Sequence, residues 1–395
     1  MMPRFGSESG RALKAVILIG LIGIGGVSGL ASTRFLAAPK MEPARAAAPK
    51  QRGVFAEPAV AYAPKSYVCY KTQAPLEVDG RLNESGWRSA AWTDYFVDIE
   101  GEAKVRPRFK TRAKLLWDER YFYVGAELEE QDVWAELSER DAVIYEDNDF
   151  EVFIDPDGDT HNYYELEVNA LNAFRDLLLL MPYRDNDKPA INAWDIRGLK
   201  TGVSVNGTLN KPGDKDKGWT VEIAMPWDVL RECAPNQVAP SAGDVWRVNL
   251  SRAEHRVQVK EGRYVKRTDA KGLPLLEENW VWSPQGVINM HYPEQWGYVQ
   301  FSAKKAGEAK DALKAKPDEM GRWGLRILYY CQKTYFLNHG SYSDDVAALE
   351  VDALNVPGFK WPPEIKMVGN FWNAVLESSD GKIRLYIDQD GRITR

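Results

Sequence analysis

The chain has 395 residues, with 44% hydrophobic and 27% charged residues, a composition typical of globular proteins and long enough for two domains. Its net charge of −6 argues against a nucleic-acid partner. The three cysteines, Cys69, Cys233 and Cys331, allow at most one intramolecular disulfide, and their spacing is not a zinc pattern.

The N-terminus has the pattern of an export signal. Arg4, Arg11 and Lys14 precede an uncharged apolar run at 15–31, which is at the short limit for a membrane span of ~20 residues. Basic residues before the run and small residues after it indicate a secretory signal, with an uncleaved anchor as the alternative. We therefore predict a signal peptide or anchor at 1–32 and a location in the periplasm, outside the cell or at the membrane. Residues 33–65, rich in Ala, Pro and Lys, are predicted to be a flexible linker.

Short strands separated by turn signals fill residues 66–302. They include 110–117, 121–128, 219–224, 244–251 and 296–301, and few helical patterns lie between them. This pattern predicts a mainly β domain, a β-sandwich or jelly roll.

Residues 149–169 predict an antiparallel hairpin within this domain. Phe150, Val152 and Ile154 alternate with polar residues, and the turn centres near Asp159. That register places Glu151 opposite Glu167. Like charges opposite each other are destabilising, so we expect an arginine (Arg175 or Arg252), a metal ion or a hydroxyl-rich ligand to offset them. A solvated polar face is the alternative.

The turn of this hairpin is also a candidate calcium site. Asp155, Asp157 and Asp159 alternate along the turn, and calcium takes 6–8 oxygen ligands. The full EF-hand spacing is missing, so an ordinary Asp-Gly turn is the alternative reading.

Residues 303–395 predict a small α+β appendage. An Ala- and Lys-rich connector at 303–316 precedes a helix that begins near Pro317 and ends at Gly340. A second short helix is predicted from Ser343 through Leu349, followed by strands at 371–376 and 382–388.

Residues 67–302 resemble the family 9 carbohydrate-binding modules and their wider relatives. The matching segments, in order, are 76–87, 114–124, 149–155, 219–227 and 282–283. The resemblance implies a β-sandwich that binds sugars and is often attached to glycoside-degrading enzymes.

Members of this family hold a sugar between two aromatic side chains, with polar groups on its hydroxyls. The resemblance places the first aromatic at Tyr145, a carboxylate at Glu151 and polar residues at Asn169 and Asn249, and Trp282 also has suitable chemistry.

Two positions depart from the family pattern. A family arginine falls on Glu167, which reverses the charge, and the second aromatic falls near Met290, where His291 or Tyr292 could supply a ring.

The sequence thus predicts an exported, noncatalytic carbohydrate-binding protein, linked to polysaccharide or glycoside breakdown, whose partner is an oligosaccharide or polysaccharide. A structural envelope protein docked through its appendage is one alternative. A glycoside hydrolase using two of Glu151, Glu165 and Glu167 is a second. The third is a haem-binding redox module, although the sequence has no Cys-x-x-Cys-His motif. Its candidate haem ligands are Met181, Met225, Met290, His161 and His291.

Overall fold

The computed structural model describes residues 55–186, 188–308, 311–314 and 316–395, which belong to one compact unit, Gln51–Arg395. The predicted signal or anchor at 1–32 and most of the predicted linker lie outside the described residues. Among the described residues, no helix has the length and apolarity needed to cross a membrane.

Most of the described chain is β-structure. The strands of the N-terminal part are β1 (Ser66–Lys71), β2 (Val97–Asp98), β3 (Thr111–Trp117), β4 (Tyr121–Glu129), β5 (Asp149–Asp155), β6 (Tyr163–Asn169), β7 (Phe174–Leu179), β8 (Ala190–Ile191), β9 (Lys200–Asn206), β10 (Gly218–Pro226), β11 (Val245–Glu254), β12 (Val257–Lys260), β13 (Arg263–Lys266), β14 (Glu278–Val281) and β15 (Gly297–Lys305). The short helices are α1 (Ser85–Ser89) and α2 (Trp227–Leu230), with single 3-10 turns at Ile144–Glu146, Arg231–Cys233, Pro235–Gln237 and Pro293–Gln295.

Thirteen of these strands form one hydrogen-bonded sheet within the described residues, in the order β8-β7-β6-β5-β11-β15-β1-β3-β4-β10-β9, with β14 paired to β11 and β2 paired to β14. Strand β1 is parallel to both of its neighbours, β15 and β3, and joins the two halves of the sheet. The β12–β13 hairpin stands apart as a two-stranded sheet.

The two halves of the sheet face each other across one hydrophobic core. Phe150, Val152 and Ile154 of β5 share this core with Val221 and Ile223 of β10. Alternation of apolar residues along each strand produces this arrangement, because successive side chains point to opposite faces. The predicted mainly β sandwich is confirmed.

The outer face of β5 and β6 is not a solvated polar surface. Glu151 is 5% exposed and Glu167 is 1% exposed. A second hydrophobic cluster, which includes Phe153, Val281 and Trp296, lies on this face. Apolar cover therefore forces the carboxylates of β5 and β6 out of bulk water, and the alternative of a solvated face is wrong.

The C-terminal part consists of α3 (Glu319–His339) and a four-stranded antiparallel sheet of β16 (Glu364–Val368), β17 (Phe371–Glu377), β18 (Arg384–Asp388) and β19 (Ile393–Thr394). Gly340 ends α3 with a φ of 73°, as predicted. The second helix predicted from Ser343 through Leu349 is wrong. Asp345 accepts the N–H groups of Ala347 and Ala348, which shapes a turn, and the backbone reverses at Glu350 with a φ of 59°.

The C-terminal part packs against the sandwich through ion pairs, in which Arg247 and Asp159 are buried and Arg392 is exposed. Arg247 of β11 donates to Glu319 of α3 at 2.7 Å, and Arg392 donates to Asp159 at 2.6 Å. Residues 55–65, expected to be flexible linker, contribute to the same contact, since Tyr62 stacks on Trp323 at 4.1 Å. This part of the predicted linker is packed, because its aromatic side chains find partners on α3. The division at 302/303 stays a prediction.

Candidate functional site

A cavity of about 440 Å³ opens on the outer face of β5, β6 and β7. Its walls come from the β-strands below it and from two segments, 182–186 and 288–291, that cross above them. The lining residues are Ile99, Tyr145, Glu151, Phe153, Glu165, Glu167, Arg175, Leu177, Tyr183, Glu277, Asn279, Ile288, Asn289, Met290 and His291. The predicted hairpin therefore forms the floor of the site.

Strand register brings the charged floor together. Glu151 pairs with Glu167 across β5 and β6, as predicted, and Glu167 pairs with Arg175 across β6 and β7. Glu165 lies two residues before Glu167 and so on the same face of β6. One carboxylate oxygen from each of the three glutamates lies within 4.8 Å of the others.

An arginine partly offsets the electrostatic repulsion among these three glutamates. Arg175 Nη1 lies 3.6 Å from Glu167 Oε1, and the backbone N–H of Tyr145 donates to Glu167 Oε2 at 3.1 Å. Of the two predicted arginines, Arg175 is therefore the partner. Arg252 lies elsewhere and pairs with Glu130 and Glu254 at 3.1 and 2.5 Å.

Burial and mutual repulsion make these carboxyls weak acids. Burial and then the charge of Glu167 raise the pKa of Glu151 to about 8. Burial also raises the pKa of Glu167, to about 7, although Arg175 opposes the shift. The pKa of Glu165 rises well above its ordinary value for the same reasons, burial first and then its two neighbours. Near neutral pH the floor therefore holds exchangeable protons.

Glu151 has unused hydrogen-bonding capacity. Its Oε2 atom is buried and has no hydrogen-bond partner among the described residues. A buried carboxylate oxygen without a partner is costly, because water no longer solvates it. A ligand that donates to this oxygen would recover part of that cost.

Aromatic side chains stand at the rim of the cavity. Tyr145 is 41% exposed and Tyr183 is 37% exposed. His291 accepts or donates a hydrogen bond with Tyr163 through Nδ1 at 2.9 Å and packs edge-on against Tyr183 at 4.6 Å. Burial, with Arg184 nearby, lowers the pKa of His291 to about 3, so this ring is neutral. Together with Met290, these groups give the cavity an apolar wall above an acidic floor.

Three of the predicted ligand residues lie outside the cavity. Asn169 donates to Leu137 and Asp147 and accepts from the N–H groups of Leu171 and Ala173, so its amide is fully used.

Asn249 is likewise bonded on both sides to the backbone of Ser283. Trp282 belongs to the sandwich core. Their side chains hold the framework together, and the geometry gives them no route to a ligand in this cavity.

Other predicted candidates are also engaged in structure. Tyr292, offered as a ring for the site, is buried beside α3 and donates to the carbonyl of Ala56 at 2.9 Å. Met225, a haem candidate, lies in the sandwich core. Cys69, Cys233 and Cys331 are free thiols.

The aspartate turn has partners of its own. Asp155 accepts the N–H groups of Gly158 and Thr160, both at 2.9 Å, and Asp159 accepts from His161 at 2.7 Å and from Arg392. One oxygen from each of Asp155, Asp157 and Asp159 lies within 4.8 Å of the others, as a calcium site requires. Arg392 already supplies positive charge there, and calcium stays a prediction.

Four polar lining residues were not identified from the sequence. Tyr183, Glu277, Asn279 and Asn289 come from segments outside the hairpin. Segments 288–291 and 182–186 carry no strand periodicity that would place them over β5 and β6. Only the tertiary fold brings them there.

The fold and site together define a β-sandwich with a cavity whose floor is acidic and whose rim is aromatic. Residues 78–243 match the family described as "Carbohydrate family 9 binding domain-like", and the predicted resemblance is confirmed over these residues. No curated protein matches the chain.

Several solved structures are similar to this chain. One is a family 9 carbohydrate-binding module from Caldicellulosiruptor kristjanssonii in complex with cellotriose, at 14% identity and a TM-score of 0.38, with 62% of this chain and 99% of that chain covered. A family 9 carbohydrate-binding module from the same organism in complex with glucose also matches, at 14% identity and a TM-score of 0.38, with 63% of this chain and 100% of that chain covered. A putative carbohydrate-binding protein from Bacteroides uniformis matches at 16% identity and a TM-score of 0.45, over 61% and 100%.

Proposed function

We propose that this protein is an exported, noncatalytic carbohydrate-binding protein that holds an oligosaccharide in the cavity above β5 and β6. One observation carries the proposal: buried carboxylates with a free acceptor, at Glu151, lie below exposed tyrosines at the rim. Sugars present hydroxyl donors beside apolar C–H faces, which suit carboxylates and aromatic rings respectively.

The comparisons support the carbohydrate-binding part of this proposal. The family match spans residues 78–243, which include both strands of the cavity floor, β5 and β6. The solved structures named above include complexes with cellotriose and with glucose. We extend sugar binding to this chain on the strength of its own cavity.

The arrangement of the carboxylates favours binding over hydrolysis. A glycosidase flanks the scissile bond with two carboxyl groups ~5–9.5 Å apart. Here Glu151, Glu165 and Glu167 project from one face of one sheet, with oxygens inside 4.8 Å. They lie beside each other on one face of the sheet, and burial raises the pKa of all three rather than of one alone.

Isothermal titration calorimetry with a panel of oligosaccharides tests the binding. We expect Tyr145→Ala and Tyr183→Ala each to weaken binding by about tenfold, because an exposed ring at the rim loses its contact with the sugar face. Tyr386→Ala, a similarly exposed tyrosine on β18, is the matched control and should change nothing. If no oligosaccharide binds the wild-type protein, the proposed function is wrong.

Two further measurements test whether the protein is noncatalytic and whether it is exported. Incubation of the protein with each bound oligosaccharide should leave the sugar intact, and released shorter products would show that the site is catalytic.

The proposal of export rests on Arg4, Arg11, Lys14 and the apolar run at 15–31. Fractionation of cells that express the full chain should recover it outside the cytoplasm, and a cytoplasmic product would contradict export.

A further inference from the structure

The lining of the cavity is strongly acidic for a site that binds a neutral sugar. Glu151, Glu165, Glu167 and Glu277 line it, and Arg175 is the one lysine or arginine among its described lining residues. His291 adds no charge, because its pKa is lowered to about 3. A neutral ligand would leave most of this acidity uncompensated.

The three floor glutamates lie close enough together for a single donor group to reach all of them. A protonated amine carries three N–H groups and a positive charge. With N–O distances of about 2.8 Å, its tetrahedral geometry places three acceptor oxygens about 4.6 Å apart. The oxygens of Glu151, Glu165 and Glu167 lie no more than 4.8 Å from one another, which is within the reach of one ammonium group, and Oε2 of the deeply buried Glu151 has no partner among the described residues.

We propose that the bound carbohydrate contains an amino sugar and that its protonated amine is held by Glu151, Glu165 and Glu167. This inference rests on the proposed function and specifies its ligand class. The sugar ring lies toward the rim, where Tyr145 and Tyr183 are exposed, and the amine points to the floor. Arg175 stays paired with Glu167, and a single positive charge is repelled by Arg175 less than a divalent cation would be.

Proton release distinguishes this ligand from a neutral one. In the free protein, burial and mutual repulsion raise the pKa values of the floor carboxyls. A bound ammonium group favours their ionised forms, so binding of an amine that is already protonated in solution near pH 7 should release protons to the buffer. A neutral sugar does not supply that charge and should release far fewer.

The test is calorimetry near pH 7 with three oligosaccharides of equal length and linkage: β-1,4-linked glucosamine, N-acetylglucosamine and glucose. We expect the glucosamine oligomer to bind at least about tenfold more tightly than the other two, because charged hydrogen bonds are stronger than neutral ones. Its affinity should fall as salt rises, and its apparent enthalpy should depend on the ionisation enthalpy of the buffer, which reports the released protons.

Variants connect this preference to the floor. Glu151→Gln should remove most of the preference for glucosamine, whereas Glu119→Gln, at an exposed site paired with Lys71, is the matched control and should keep it. Glu277→Gln is a second test variant if Glu151→Gln folds poorly, since Glu277 is only partly buried. Its replacement should lower the preference for glucosamine to a smaller extent.

Three outcomes would overturn the inference. Equal binding of all three oligomers would refute the amine but leave the proposed function intact. Binding that requires calcium and is abolished by a chelator would assign the glutamates to a metal ion instead. No binding of any oligomer would reject the proposed function and the inference together.

Discussion

Glu151 and Glu167 lie directly opposite each other on β5 and β6, and both side chains are buried. Of these two glutamates, only Glu167 has an arginine within 4.0 Å among the described residues, because Arg175 pairs with it from β7. Two buried carboxylates in this position repel each other, so the fold tolerates them at a cost in stability. Such a cost is expected where the same groups contact a ligand.

Replacement of Glu151 with Gln should separate binding from stability. The change keeps the shape of the side chain but removes the ionisable carboxyl acceptor, and we expect sugar binding to weaken by about 1.5–3 kcal/mol. The free energy of unfolding should stay level or rise slightly, because repulsion with Glu167 is removed. Titration calorimetry and thermal melts of the same variant measure both quantities.

Glu119→Gln serves as the control for that experiment, since its side chain is exposed. Unchanged affinity together with a large loss of stability in Glu151→Gln would show that Glu151 has a structural role and that the ligand binds elsewhere.

Stability should fall as the pH rises through neutrality. The folded-state pKa values of Glu151 and Glu167 are about 8 and about 7, both above the ordinary value of 4.5. A raised carboxyl pKa means that the folded protein holds its proton more tightly than the unfolded chain. The contribution of each raised carboxyl pKa to the free energy of unfolding is therefore fully present below about pH 4.5 and is lost as the pH rises through 7 and 8.

Chemical denaturation from about pH 5 to about pH 8 measures this dependence. The wild-type free energy of unfolding should decrease over that range, and Glu151→Gln should decrease less steeply. A wild-type profile that is flat or that rises would contradict the raised pKa values.

Trp117→Ala should destabilise the sandwich by about 3–5 kcal/mol. Trp117 is predicted from the sequence to be core, and the structure confirms it: its indole packs edge-on against Phe301 at 5.5 Å, and its Nε1–H donates to the carbonyl of Ser302 at 2.9 Å. Tyr95→Ala, at an exposed aromatic on the same domain, is the comparison and should cost far less. Equal losses in denaturant titrations would argue against the assigned core.

Asn169→Ala should reduce stability by about 1–3 kcal/mol, because it leaves the buried N–H group of Ala173 without its acceptor and removes one of the donors to Asp147. Ligand affinity, measured on the fraction that remains folded, should change little, since Asn169 does not line the cavity. A selective loss of affinity with normal stability would restore the ligand role that the family resemblance implies.

Cleavage in the 303–316 connector should leave the two parts associated. Arg247 is buried and bonds to Glu319, Tyr62 and the carbonyl of Trp296, each at 2.7 Å. Limited proteolysis followed by size-exclusion chromatography should therefore recover both fragments in one peak.

Arg247→Met removes the buried cation and leaves the partly buried carboxylate of Glu319 without its arginine, at a cost of about 3–5 kcal/mol. The fragments of this variant should separate after cleavage. Separation of the wild-type fragments would instead show that the contacts to α3 are weak, and would support two independent domains with a boundary near residue 302.

The sequence alone was sufficient for the elements that depend on local pattern. Period-two alternation of Phe150, Val152 and Ile154 predicted β5, and the turn at Asp159 fixed the register that places Glu151 opposite Glu167. Gly340 predicted the end of α3. These features follow from side chains within a few residues of each other, where strand geometry and glycine conformation determine the outcome.

Only the tertiary structure decided which polar residues face a ligand. Asn169 and Asn249 resemble ligand residues in sequence, yet their amides are consumed by backbone groups that long-range folding brings to them. Tyr183 and Glu277 line the cavity although no local pattern marks them. Burial of the carboxylates of β5 and β6 likewise depends on segments more than a hundred residues away in the chain, because a strand's outer face becomes a pocket only when another segment covers it.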